Sequence, residues 1–341
     1  MTTMPAEQRW ERPEIYTAPP GFWKRQLPGA VLSIAASGVV TALRQLLQEQ
    51  PETLNQRGPH GRTLLWEAAR AGRIESVRFL LKQGANVNLT GCYNSESVVQ
   101  ITPYCAARYY RRDAVAELLK AHGAHEDVFR LAFLGDTKGV RRELDAQPDL
   151  LNAEDPHDPI YFEPVIAFAV TGGHTALTRA LIERGALLAP YSAQLFSLAA
   201  RDGDIGLIDL LLSSGADART VDSGIYISPH LPALKRLIDA GAPVNRPGKN
   251  GFPPLVFLSR ADKGKRIASM RLLIEHGADV NAVGLQGRTA LHNAAESGNV
   301  EAVKLLLTHG AERELKDGAG KSPLKLARAA GRKQIVSLLR G

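Results

Sequence analysis

The chain has 341 residues, 44% hydrophobic and 23% charged, with a formal net charge of +7. No run approaches the ~20 apolar residues a membrane helix needs, and residues 1–28 lack the apolar stretch of a secretory signal. Two cysteines, Cys92 and Cys105, are too few for a disulfide framework and fit a reducing, cytoplasmic setting. Lysines and arginines are dispersed among acidic residues with no block of like charge, so nucleic acid is not the expected partner.

In chain order, residues 1–28 come first as an N-terminal extension. They combine Trp10, Tyr16, Phe22 and Trp23 with Pro5, Pro13, Pro19 and Pro20. Disordered segments are usually poor in aromatics, so part of this stretch is expected to cover the apolar end of the element that follows, although a flexible tail is the alternative.

From Gly29 to the end the sequence repeats itself. Two or three apolar residues, a short polar gap and Gly-Ala recur at Leu80–Asn88, Leu118–Ala124, Leu181–Ala186, Leu210–Asp217, Leu237–Asn245, Leu272–Asn281 and Leu305–Glu314. A second phrase lies upstream, clearest as GRTALHNAAESGNVEAV from Gly287 to Val303, with relatives at Gly61–Val77 and Lys321–Val336. Thr289 is placed to cap a first helix, and Leu291, Ala294 and Ala295 give it a thin apolar face. Gly298 breaks it. Val303, Leu306 and Leu307 recur at helical spacing on a second helix, and Gly310 can take the left-handed conformation that ends it.

The distance from Gly277 to Gly310 is 33 residues, and with these phrases the chain resembles the ankyrin-repeat family over residues 29–341. The complete Thr-x-Leu-His motif occurs once, at Thr289–His292. The resemblance implies an all-α solenoid of about ten helix-turn-helix repeats, monomeric when alone, without cofactor or metal. Neither helix of a unit can bury its face alone, and stacking neighbours does so.

Several units depart from the pattern. The segment Thr90–Ile101 lengthens the finger before repeat three, since Gly84 to Gly123 spans 39 residues. Repeat four has no room for a finger. Repeat seven is short, with 26 residues from Gly215 to Gly241, so its first helix is expected to be stunted, the more so with Pro229 and Pro232. Repeat eight carries extra residues at Ala261–Arg266. The last unit, from about Asp317, should expose Arg332, Lys333, Gln334, Ser337 and Arg340 as a polar outer face.

Chemistry-bearing motifs are sparse. AGKS at Ala319–Ser322 resembles the end of a phosphate loop, but the required upstream glycine is Leu315, and the repeat register makes Gly320 a turn residue and Ser322 a cap. His122 sits near His125, Glu126, Asp127 and Cys105. Because His276 and His309 occupy the same slot before Gly-Ala, a repeated structural role is expected rather than metal binding. Cys105 stands at the motif-histidine position and reads as a small core residue. Asp155, Asp158 and Glu163 read as a solvated acidic loop. No GxSxG or HExxH is present, and no catalytic residue is assigned.

The family meets partners with its finger tips and the exposed face of each first helix. Carried over by register, the positions are Arg62, Trp66 and Arg70 in repeat two, and Arg108, Tyr109, Tyr110 and Arg111 in repeat three. Further along they are Phe133 in repeat four, Arg201 in repeat six, and Leu285, Gln286, Arg288, Glu296 and Ser297 in repeat nine. Arg111 replaces the usual glycine, which puts that turn in question. Tyr, Trp and Arg dominate binding hot spots, and Tyr109, Tyr110 and Phe133 are expected to be exposed there, unless the tyrosines pack on the long finger. The expected function is a non-catalytic module that holds a protein or peptide, favouring an acidic segment, as an adaptor, inhibitor or immunity-type protein of the kind bacterial ankyrin proteins resemble. The alternative is an accessory subunit or unusual enzyme acting on a peptide, with its chemistry hidden between Thr90 and Phe162.

Overall fold

A computed structural model of the chain describes residues 27–92, 99–155, 163–222, 226, 228, 230–248, 251–260 and 266–340. The N-terminal extension up to residue 26, the finger tip 93–98, the loop 156–162 with Asp158, and the insertion 261–265 lie outside the described residues.

Nineteen α-helices are described, and all but one fall into pairs. The first pairs are α1 (Gly29–Ser37) with α2 (Val40–Glu49), α3 (Leu64–Arg70) with α4 (Ile74–Lys82), α5 (Pro103–Tyr109) with α6 (Asp113–Ala121), and α7 (Val128–Leu134) with α8 (Thr137–Ala146). A fifth repeat follows with α9 (Val165–Thr171) and α10 (Thr175–Glu183), and a sixth with α11 (Ser192–Asp202) and α12 (Ile205–Ser213). Repeat seven supplies α13 (Leu231–Asp239) alone. The last pairs are α14 (Pro254–Ser259) with α15 (Ile267–Glu275), α16 (Ala290–Ser297) with α17 (Val300–Thr308), and α18 (Pro323–Ala329) with α19 (Lys333–Arg340). The chain divides into two units, one ending at Gly172 and one beginning at Gly173.

Within each unit, first helices pack on first helices and second on second, as in the series α1, α3, α5, α7, α9 and the series α14, α16, α18. The first helices approach closely because their facing residues are small. Ala68, Ala69, Ala106, Ala107, Ala132, Ala294 and Ala295 are all fully buried. Leucines of the second helices, such as Leu80, Leu119 and Leu306, fill the wider layer behind them.

The irregular units are built as their spacing requires. Strands β1 (Gly91–Cys92) and β2 (Gln100–Ile101) pair antiparallel at the base of the long finger. Between Thr220 and Leu231 no α-helix is described. There the buried Tyr226 donates from its hydroxyl to the Pro243 carbonyl at 3.0 Å, and Ser228 Oγ donates to the Ala200 carbonyl at 2.7 Å.

Two kinds of tie join successive repeats. The asparagine closing a Gly-Ala phrase clamps the next turn: Asn281 Oδ1 accepts from Glu312 N at 2.9 Å and its Nδ2 donates to Gly310 O at 3.2 Å. Asn245 makes the same pair with Asp279 N and Gly277 O. On the opposite edge, Arg73, Arg112 and Arg332 reach back to the carbonyls of Ala36, Arg70 and Glu296. Their stems lie against Gly38, Gly72 and Gly298, where an added Cβ would come within 3.1, 2.8 and 3.0 Å of them. Arg332, Lys333, Gln334, Ser337 and Arg340 are exposed, as expected.

Candidate interaction face

The third residue of each first helix sets the local frame. In α16 the Thr289 hydroxyl accepts from His292 N, and His292 Nδ1 accepts in return from Thr289 N at 3.2 Å, a reciprocal cap. His292 Nε2 lies 3.1 Å from the Lys321 carbonyl of the following repeat. Burial holds this imidazole below its ordinary pKa, so the neutral ring makes these bonds.

Trp66 holds the equivalent position in α3. Its side chain is fully buried, and Nε1 donates to the Ile101 carbonyl at 2.9 Å. It is a core residue that ties repeat two to repeat three, not an exposed contact, because the third helical residue points at the next repeat. Phe133, sixth in α7, is not exposed either. It occupies the slot of Ala69 and Ala295 and is fully buried. Cys105, third in α5, is buried as expected, and burial pushes its thiol pKa up.

In α7 the third residue is Arg130, fully buried. Its guanidinium donates to Asp127 at 3.0 Å, to Asp155 at 2.8 Å and to the Gln100 carbonyl at 3.0 Å. Burial opposes its charge, but Asp127 and Asp155 outweigh that and hold the proton more firmly than usual. Asp155 and Glu163 are therefore not solvated loop residues. Both are buried, and Asp155 is tolerated there because it pairs with this arginine. The network continues through Gln100, whose Oε1 accepts from Thr90 Oγ1 at 2.8 Å, to Arg57, which donates to the Thr90 carbonyl. It fixes the base of the long finger.

Around that base the remaining positions of repeats two and three form one strip. Glu67, buried on α3, holds both neighbouring arginines: Arg62 Nη1 at 3.0 Å on one oxygen and Arg70 Nε at 2.8 Å on the other. Arg62 also donates from Nε to the Cys92 carbonyl at 2.8 Å and lies 4.5 Å over the Trp66 ring. Arg70 lies 6.0 Å from the Tyr110 ring. Tyr109 is 44% exposed, meets Tyr110 edge-on at 5.0 Å and rests on Phe133 at 5.1 Å. Tyr110 is half-buried, which raises its pKa against the pull of Arg70. Arg108 donates to the Tyr104 hydroxyl at 3.0 Å and approaches Glu126 at 3.5 Å. Arg111 is exposed and takes φ of 56°, so the turn survives without glycine.

The other positions are dispersed over the second unit. Arg201 is held by Asp202 through two contacts of 3.0 Å. Leu285 is 53% exposed and leans on Gly251. Gln286 is exposed at φ 61°, with its carbonyl accepting from Gly318 N at 2.6 Å. Arg288 pairs with Glu296 at 2.6 Å, and Ser297 Oγ donates to the Ala294 carbonyl. The sequence reading missed Glu67, although an acidic residue three before Arg70 on a helix is a recognisable pairing signal. His60 takes φ of 60° in the turn Pro59–Gly61.

The histidines before Gly-Ala share one role. Nδ1 of His122, His276 and His309 each lies 2.8 Å from the carbonyl four residues earlier. Gly320 takes positive φ and Ser322 caps α18 by accepting from Lys325 N, as the register requires.

The family model for ankyrin repeats in three copies matches residues 258–341, and a single-repeat model matches 60–92. Residues 60–92 and 258–341 are thus ankyrin repeats by sequence. This ankyrin chain is 32% identical over 154 residues to human "Ankyrin repeat and SOCS box protein 6", covering 39% of the chain and 36% of that protein. It is 29% identical over 292 residues to "Ankyrin repeat and KH domain-containing protein mask-1" of Caenorhabditis elegans, covering 77% of the chain and 10% of that protein. A third similarity, 37% over 82 residues, is to "Serine/threonine-protein kinase VIK" of Arabidopsis thaliana, of which it covers 17%. The match thus spans about a third of the first relative and less of the others. Ankyrin repeats are protein-interaction modules. No described helix is long and apolar enough to cross a membrane.

Proposed function

We propose that the chain is a non-catalytic module, of adaptor, inhibitor or immunity type, that holds a protein or peptide partner against the strip formed by repeats two and three. The observation that carries this reading is the contiguous run of Arg62, Arg70, Tyr109, Tyr110, Arg108 and Arg111, in which Arg70 faces Tyr110 and Tyr110 meets Tyr109. Arginine and tyrosine side chains carry much of the energy in protein interfaces. The strip has few acidic neighbours, Glu67 and Glu126 among them, and both already stand beside arginines, so an acidic partner segment complements it. The buried Arg130 network supports the reading because it fixes the base of the finger beside the strip, which lowers the ordering cost of binding.

The test is capture from source lysate by the full chain, with partners identified by mass spectrometry. Tyr110→Ala combined with Arg108→Glu is expected to abolish capture of the specific partner while the melting temperature holds. Unchanged capture of every partner by this double variant places the interface elsewhere.

A further inference from the structure

Between α1 and the finger of repeat two lies an open cleft of about 220 Å³. One wall is short and uncharged, with Gly29, Ser33 and Ala36. The opposite wall carries His60, Arg62, Glu67 and Arg70. Glu67 is the sole acid among the residues lining the cleft, and each of its oxygens already receives an arginine. The bonds described engage Nε of both arginines, Nη1 of Arg62 and Nη2 of Arg70. A guanidinium has further N–H donors in its fork beyond these. Two cations and one anion leave a single positive charge in excess on this wall.

The arginines are set in place before any ligand arrives. The Arg62 stem lies against Gly91, where an added Cβ would come within 2.9 Å of it, and the Trp66 ring supports its guanidinium. Arg70 is braced by Glu67 and lies beside the Tyr110 ring. Donors held at fixed positions around a cleft favour an oxyanion over a neutral group, and one excess charge matches a carboxylate better than a phosphate dianion.

We infer that this cleft is a subsite for a single carboxylate of the bound peptide, an Asp or Glu side chain or the C-terminal group, gripped by Arg62 and Arg70 with Glu67 as their positioning residue. The inference rests on the partner face proposed above and adds the chemistry of one contact within it. The repeat-nine counterpart makes a natural control. There Arg288, Asn293 and Glu296 stand in register with Arg62, Glu67 and Arg70, and the arginine is already paired with Glu296.

The experiment follows the arginine Nε–Hε signals of the full chain, labelled with ¹⁵N-arginine, during titration with sodium glutarate and separately with inorganic phosphate. Saturable shifts of the Arg62 and Arg70 signals with glutarate are expected, and weaker ones with phosphate. The Glu67→Asn/Arg70→Glu variant, which writes the repeat-nine pattern into repeat two, should bind glutarate at least roughly tenfold more weakly, as loss of a charge-assisted contact implies. Arg70→Gln gives the same readout if the double variant melts early. No saturable shift with glutarate, or a shift undiminished in these variants, overturns the subsite. Tighter binding of phosphate overturns the carboxylate assignment in favour of a phosphorylated peptide. Capture of the partner is read in parallel with Tyr110→Ala/Arg108→Glu. Partner capture that fails to depend on those residues while glutarate still binds sinks the partner face alone, and the opposite result sinks the subsite alone.

Discussion

Repeats two and nine share the finger phrase Gly-x-x-Gly-Arg-Thr and fold it alike. Gly58 N donates to Arg62 O at 2.8 Å, Gly284 N donates to Arg288 O at 2.9 Å, and His60 and Gln286 take φ of 60° and 61°. The side chains on this common frame differ in purpose. In repeat nine Arg288 closes on Glu296, while Asn293 Nδ2 donates to Val256 O and Ser259 Oγ, tying the repeat to its predecessor. In repeat two the middle position is Glu67, which spreads two arginines, and the position of Glu296 is occupied by Arg70. The backbone is therefore indifferent to the task, and exchanges at a few helix positions convert a self-satisfied structural unit into a charged surface.

The sharpest way to break this comparison is at the third helical position, where Trp66 and His292 do equivalent work. Trp66→Ala should lower the free energy of unfolding by about 3–5 kcal/mol through lost burial and the cavity left behind, measured by chemical denaturation. An unchanged stability with lost partner capture would return Trp66 to the interface. His292→Ala should cost about 1–3 kcal/mol, since it strands the Thr289 amide and the Lys321 carbonyl.

The two positions should also differ in acid. Burial lowers the His292 pKa, so the unfolded chain takes up the proton first and folding loses stability as pH falls below about 6.5. Above that value both states are neutral there and the contribution is flat. Amide protection factors in α16 to α18, taken against the intrinsic exchange rate at each pH, should fall between pH 7 and 5, and His292→Gln should remove that dependence. The amides of α3, with tryptophan at the same position, serve as the internal reference. Smallest of all, Gln286→Gly should stabilise by up to about 1 kcal/mol by relieving the left-handed backbone, read as a small rise in melting temperature.

The repeat architecture was legible because its period, caps and glycines are local signals. Thr289 marks its own cap, and the 26-residue spacing from Gly215 to Gly241 marks repeat seven as short. The burial of Trp66, Phe133, Asp155 and Glu163 was not legible. An aromatic or a charge usually marks a surface in such a helix, and the exception depends on what the neighbouring repeat supplies. Arg130 makes the point. Its position in the helix could be counted from Asp127, but its role needs Asp155 and Gln100, 25 and 30 residues away in sequence. Within the strip, the arginines and tyrosines were named from residue type and register, whereas Glu67 acquires its meaning only once both arginines are seen to share it.

The asparagine clamps have a chemical consequence of their own. Asn281 offers one oxygen and one amide nitrogen to the same turn, taking Glu312 N and giving to Gly310 O. Hydrolysis of that side-chain amide releases ammonia and leaves a carboxylate of nearly the same size. The oxygen that replaces Nδ2 then faces the Gly310 carbonyl, acceptor against acceptor. Deamidation at Asn281 or Asn245 would thus loosen one junction between repeats without disturbing any core residue.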